Sequence, residues 1–309
     1  MNLTNEFDYV TSEISELQQL LVEIPPEDVI DRMSLEARLA KAQLELETLP
    51  LPERSATVCL TFRGKPVVGS HSISADFGSK ALDAFSKVFT AVAVGTTTDI
   101  QSRGKLPDKD NNLLRIIGTT IGSFGFELEL PQGTTDLFTS TSPEDTIRKI
   151  ETLLSTSATG NDDEVTEIVA DVPPRAIKLL NKFLEVLVSN ESWCGLSYGN
   201  KNFRYDNFEQ VRTSVKRLAD NNVHFGKETL CGKFKGFFPI SRTFEFLPDC
   251  AKTEQKDAIH GKIDIAVEEP EVLNREWLDK LVAVELCTMQ IGNGKPRYTL
   301  QSLADLSLR

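Results

Sequence analysis

Between Leu113 and Pro131 the chain reads LLRIIGTTIGSFGFELELP, and this stretch limits the fold more than any other. Phe124, Phe126, Leu128 and Leu130 alternate with Gly125, Glu127 and Glu129. Alternation with period two marks a strand with one buried and one wet face. Leu114, Ile116 and Ile121 supply the bulk of a preceding strand, and Gly118, Gly122 and Gly125 suit a tight turn or a close backbone approach. The stretch is therefore expected to be a β-hairpin that needs an apolar layer on one side. Leu82, Phe85, Val88, Phe89 and Val92, spaced as one face of a helix over 77–94 and followed by Gly95, supply such a layer. Thr57 to Phe62 and Val67 to Ala75 read as further strands.

Downstream, Ser142-Pro143-Glu144-Asp145 has the make-up of a helix start: a capping hydroxyl, proline in the first turn and acids beside the positive end of the dipole. The polar run STSATGNDD, Ser155 to Asp163, reads as a loop and as the most mobile segment. Helices are expected after Pro173-Pro174 and from the Asp206–Gln210 region, where Asp206 with Glu209, or Asn207 with Gln210, has capping-box spacing.

Two other parts flank this one. At the N-terminus Phe7, Val10, Ile14, Leu17, Leu21 and Ile24 recur at spacings of three and four, a seam of nearly three heptads. Pro25-Pro26 breaks the helix, and a second one carries two apolar stripes: Ile30, Met33, Ala37, Ala40 and Leu44 on one face, Leu35, Leu39, Leu46 and Leu49 on another. A helical hairpin with a spare stripe either packs on its own chain or assembles with a partner. At the C-terminus three strand-like runs, a helical segment from Pro270 to Lys280 and two more strands joined by Gly292-Asn293-Gly294 follow in the element order of an OB-type barrel, with an SH3-like barrel as the rival. The expected architecture is α+β: a helical hairpin or coiled coil over 1–50, an α+β domain over 55–222 and a small β-barrel over 228–305.

Charge and motifs narrow the function classes. The chain has 309 residues with 46 acidic against 34 basic, a formal charge of -12, which repels phosphate backbones in bulk. Five separated cysteines set among apolar neighbours suggest reduced core thiols and a cytoplasmic protein. No apolar run approaches the roughly 18 residues of a membrane span, so no membrane partner is expected. No phosphate-binding glycine loop or paired metal-ligand motif occurs, and no cofactor or metal is expected.

Gly195-Leu196-Ser197-Tyr198-Gly199 matches the G-x-S-x-G pattern of a nucleophile elbow, for which His224 or His260 would be the base and Asp249 or Asp257 its orienting acid. The pattern demands a strand before the serine and a helix after it; the sequence here suggests neither, and a turn between helical pieces is the simpler reading. Lys233, Lys235 and Arg297, among Phe237, Phe238, Phe244, Phe246 and Tyr298, have the composition of a single-strand nucleic-acid groove. The alternation of Phe244 and Phe246 with Thr243 and Glu245 instead makes those rings core.

The sequence thus points to a non-enzymatic interaction or scaffold protein. It would bind a protein partner or itself through Phe7–Ile24, as an accessory or regulatory subunit in a prokaryotic phage-defence or toxin–antitoxin system. A nucleic-acid-binding adaptor and a serine hydrolase using Ser197 are the alternatives.

Overall fold

The computed structural model describes residues 3–25, 28–48, 56–95, 112–119, 124–131, 142–249 and 257–308. The chain divides into two compact units, Met1–Ser55 and Ala56–Arg309. In the first, α1 (Leu3–Glu23) packs along α2 (Val29–Thr48). Val10 and Leu17 of α1 and Ala42 of α2 are buried. Ile14, Leu21, Ile24, Leu35, Leu39 and Leu46 are half-buried, and Arg38 reaches Glu13 across the pair at 3.2 Å. The side chain of Phe7, like Leu49 and the linker after it, lies outside the described residues.

The second unit begins with β1 (Thr57–Gly64), whose Val58, Leu60 and Phe62 are fully buried while their neighbours are not. The expected hairpin is present as β4 (Arg115–Thr119) and β5 (Gly125–Glu129), paired antiparallel; its turn, with Ile121 and Gly122, lies outside the described residues. Together with β6 (Ser192–Tyr198) and β7 (Lys201–Arg204) these strands form an antiparallel sheet in the order β4-β5-β1-β6-β7. Val67 to Ala75 is not one strand. It holds the two-residue strands β2 (Val67–Val68) and β3 (Ser72–Ile73) around Gly69 at φ +58°.

The helical layer consists of α3 (Ala75–Gly95), α4 (Pro143–Thr159), α5 (Asp162–Val169), α6 (Pro174–Ser189) and α7 (Phe208–Arg217). One apolar core joins layer and sheet, and Phe62 meets Phe77 of α3 edge to face at 5.3 Å between ring centres.

The polar run Ser155–Asp163 is a correction: α4 continues through it to Thr159, and only Gly160 and Asn161 separate α4 from α5. Three of its hydroxyls are satisfied there: Ser155 and Thr159 donate to carbonyls three and four residues back, and buried Ser157 Oγ lies 3.0 Å from Leu154 O of its own helix and 2.9 Å from Ser214 Oγ of α7. Asn161 then opens α5 with a capping box closed by Glu164.

The C-terminal part is the expected small barrel. Its strands are β8 (Val223–Phe238), β9 (Thr243–Pro248), β10 (Ile259–Ile263), β11 (Leu281–Ile291) and β12 (Arg297–Leu300). Pairing closes them in the ring β8-β9-β10-β12-β11, with β10 and β12 parallel, and β13 (Leu306–Leu308) adds to β11. Helix α8 (Glu271–Glu276) falls between the third and fourth strands, the OB-type order rather than the SH3-like one. Phe234, Phe244, Phe246, Val284, Leu286 and Leu300 fill the interior.

The barrel does not stand apart. Val223 and Ile291, at the ends of β8 and β11, belong to the core of the α+β part. The turn after β11 lies on the first turn of α5. Asn293 N–H donates to Asp162 Oδ2 at 3.2 Å, Lys295 N–H to Asp163 Oδ1 at 2.6 Å, and Ile291 N–H to Thr166 Oγ1 at 3.1 Å.

At Gly261 of β10 the Phe244 ring occupies the space of a side chain, and an added Cβ would come within 2.2 Å of Cζ. Gly261→Ala is expected to lower stability by about 1–3 kcal/mol through overpacking, read as a shifted urea midpoint. An unchanged midpoint would show that the ring can move aside freely.

Candidate functional site

Ser197 lies in the middle of a sheet. It faces Cys59 of β1 on one side and Asn202 of β7 on the other, and its Oγ donates to Asn202 Oδ1 at 2.9 Å. Gly199, at φ +56°, supplies the β6–β7 turn. The segment is therefore a β-hairpin, neither a turn between helices nor the strand-to-helix turn that exposes a nucleophilic serine. The proposed bases are on the barrel: His224 on β8, opposite Gln290, and His260 on β10, with Nδ1 3.5 Å from Glu245. Asp249 follows β9 and Asp257 precedes β10. Among the described residues no histidine hydrogen-bonds to Ser197.

Around Ser197 the register sets a polar row, Glu127–Cys59–Ser197–Asn202, across four strands. Burial, and then the charge of Glu127, push the Cys59 thiol above its usual range, so it stays protonated and is a poor nucleophile. Beside the hairpin a cavity of about 210 Å³ is lined by Glu144, Ile147 and Arg148 of α4 and by Leu196, Tyr198 and Lys201. That is below the roughly 300–1,000 Å³ of most small-molecule sites. Neither feature was legible before the strand register was known.

The barrel cations are placed differently from a groove. Lys235 pairs with Asp279 at 2.7 Å and Arg297 with Glu167 of α5 at 3.1 Å. Lys262 is paired with Asp171, and Lys227 with Glu285 at 2.6 Å. Lys233 is exposed on β8 between Leu247 and Leu281 of the flanking strands. The aromatic residues are core: Phe234, Phe237, Phe244, Phe246 and Tyr298 are buried, and the Tyr298 hydroxyl donates to Glu228 at 3.1 Å. Phe238 is half exposed.

In OB-type barrels the loop between the fourth and fifth strands helps to hold oligonucleotides. Here the N–H groups of Asn293 and Lys295 are taken by Asp162 and Asp163, and those of Gly292 and Gly294 by the carbonyls of Asn222 and Ile291. The acidic start of α5 lies against this loop.

Among the described residues no three His, Cys, Asp or Glu side chains are grouped to hold a metal ion, and no helix is long and apolar enough to cross a membrane. Comparison with protein-family models, with curated proteins and with solved structures finds no match.

Burial leaves a pH signature in the core. It pushes the fully buried Cys194 thiol from 9.0 up to about 12 and, with Glu228 nearby, the Tyr298 hydroxyl from 10.0 up to about 12. Tyr205 is raised as well, by burial first. Above the unfolded pKa values the unfolded chain has released these protons while the folded chain retains them. Stability is then fully present below about pH 9 and falls as pH rises toward 12, by ~1.4 kcal/mol per pH unit for each such group. Urea midpoints measured from pH 8 to 11 are expected to decline above 9; a constant midpoint would contradict the dry setting of Cys194.

Proposed function

We propose that this chain is a non-enzymatic interaction protein in which the helical hairpin mediates assembly and the larger unit is the body it carries. The observation that carries the reading is the hairpin's surface. It is a compact unit of its own, yet Tyr9, Val22, Ile30, Met33 and Leu44 stand 63% to 86% exposed on it. Concentrated apolar exposure of this kind marks a contact surface. Such a protein suits the place of an accessory or regulatory subunit beside an effector. A reducing, cytoplasmic setting fits the free thiols of Cys59, Cys194, Cys231 and Cys287.

The nucleic-acid adaptor reading draws support from the barrel's strand order alone. Against it stand the acidic balance of the chain, the pairing of Lys235 and Arg297 with carboxylates, and the α5 acids on the loop that would meet phosphates.

Two measurements on the full chain test these readings. Light scattering at micromolar concentration is expected to give a mass above the 34.3 kDa of one chain, or else a mass that rises when the native partner is added. A chain that stays monomeric and captures no partner would overturn the assembly reading. With a labelled single-stranded oligonucleotide no salt-sensitive mobility shift is expected. A shift that weakens with salt and is lost in Lys233→Glu/Lys235→Glu would instead favour the adaptor.

A further inference from the structure

Helix α2 is apolar on two opposite sides. Leu35, Leu39, Ala42 and Leu46 form the half-buried to buried stripe of the hairpin. Ile30, Met33, Ala37, Ala40 and Leu44 form a second stripe, centred about 190° away at 3.6 residues per turn. All five are exposed, Ile30 at 84%, Met33 at 65% and Leu44 at 63%. Their spacing of three, four, three and four is that of alternating a and d positions, with Ile30, Ala37 and Leu44 at a and Met33 and Ala40 at d. The two central alanines allow helices to approach closely.

We propose that this outer stripe pairs in parallel with the same stripe of a second copy of the chain. The flanking charges select this occupant and this direction. With the a and d positions so placed, Glu36 falls at g and Lys41 at the following e, both exposed. Two parallel copies in register bring each Glu36 beside the other copy's Lys41, two symmetric ion pairs across the seam. An antiparallel pairing sets g against g and e against e. The g positions are then Val29, Glu36 and Gln43 and the e positions Ser34, Lys41 and Thr48, so no register yields an opposite-charge pair. Glu36 also has Arg32 at 3.2 Å one turn back, an exposed pair that the contact with Lys41 of the second copy would replace or share. Exposed ion pairs contribute little energy, so they set orientation while the apolar stripe supplies the attraction. The seam spans five positions, well under a large obligate interface, and the pairing is reversible.

This inference rests on the assembly reading and narrows it to one surface and one partner, and its test separates the two. Sedimentation of the full chain over a hundredfold range of concentration is expected to show reversible dimerisation. Met33→Glu should raise the dissociation constant at least ~tenfold, equivalent to 1.4 kcal/mol, with unchanged helical circular dichroism because Met33 is exposed. Glu36→Lys should weaken the dimer, and Glu36→Lys/Lys41→Glu should restore it. Mild oxidation of Ala37→Cys should link two copies through residue 37, beyond any background of the unaltered chain, since parallel register places the two side by side. If the chain self-associates but Met33→Glu is without effect, or Ala37→Cys gives no linked dimer, the outer stripe of α2 is not the interface and the proposal fails while the assembly reading stands. If the chain is monomeric throughout, the proposal fails; partner capture then decides the assembly reading separately.

Discussion

The contact between the start of α5 and the Gly292–Lys295 turn fixes how the barrel joins the α+β layer. Two carboxylates and a threonine hydroxyl accept three backbone N–H groups, two of them from a turn that offers no side-chain cap of its own. The turn fits only because it has glycines. Gly292 sits at φ +52°, and a Cβ on Gly294 would lie 2.7 Å from the Asp162 carbonyl and 2.8 Å from Thr166 Oγ1. Beneath the polar contact Ile291 and Val223 carry the barrel into the apolar core of the α+β layer. Hydrogen bonds of this kind add about 1 kcal/mol each; apolar continuity supplies the larger stabilisation, and the polar contacts fix its geometry.

This contact also shapes what the barrel can do. Carboxylate oxygens receive two backbone donors of the β11–β12 loop, and Glu167 and Asp171 hold Arg297 and Lys262. Lys262 is pulled below its usual range by burial, with Glu167 opposing that shift, and Arg297 Nε is buried without a hydrogen-bond partner. The cations at this edge are thus committed inward. The barrel is in this way built into the α+β layer as a structural joint.

Much of the architecture was legible in the chain. The alternation at Phe124–Leu130, the stripe on α3, the cap at Ser142 and the strand–strand–strand–helix–strand–strand order of the barrel each rest on local periodicity, and each is present. Where side-chain hydroxyls bond to their own helix, as at Ser155, Ser157 and Thr159, composition imitates a loop, and the last turns of α4 read as one for that reason. The G-x-S-x-G match failed because Gly195–Tyr198 is paired on both sides, which no local pattern reports. The pairing of Arg297 with Glu167 spans 130 residues and depends on the barrel's closure. The hairpin's two stripes were readable as stripes. Which one faces inward became clear only from burial: on α2 the Leu35–Leu46 side is covered and the Ile30–Leu44 side is not.

The barrel and the α+β layer form one body through α5. Native-state hydrogen exchange of the full chain tests this at three amides: Ile291, Asn293 and Lys295. They are expected to exchange as slowly as the paired amides of β8 and β11, opening only with the whole unit. Exchange at the rate of a solvated turn, with β8 and β11 still protected, would show that the barrel stands free and that its loop is open to ligands.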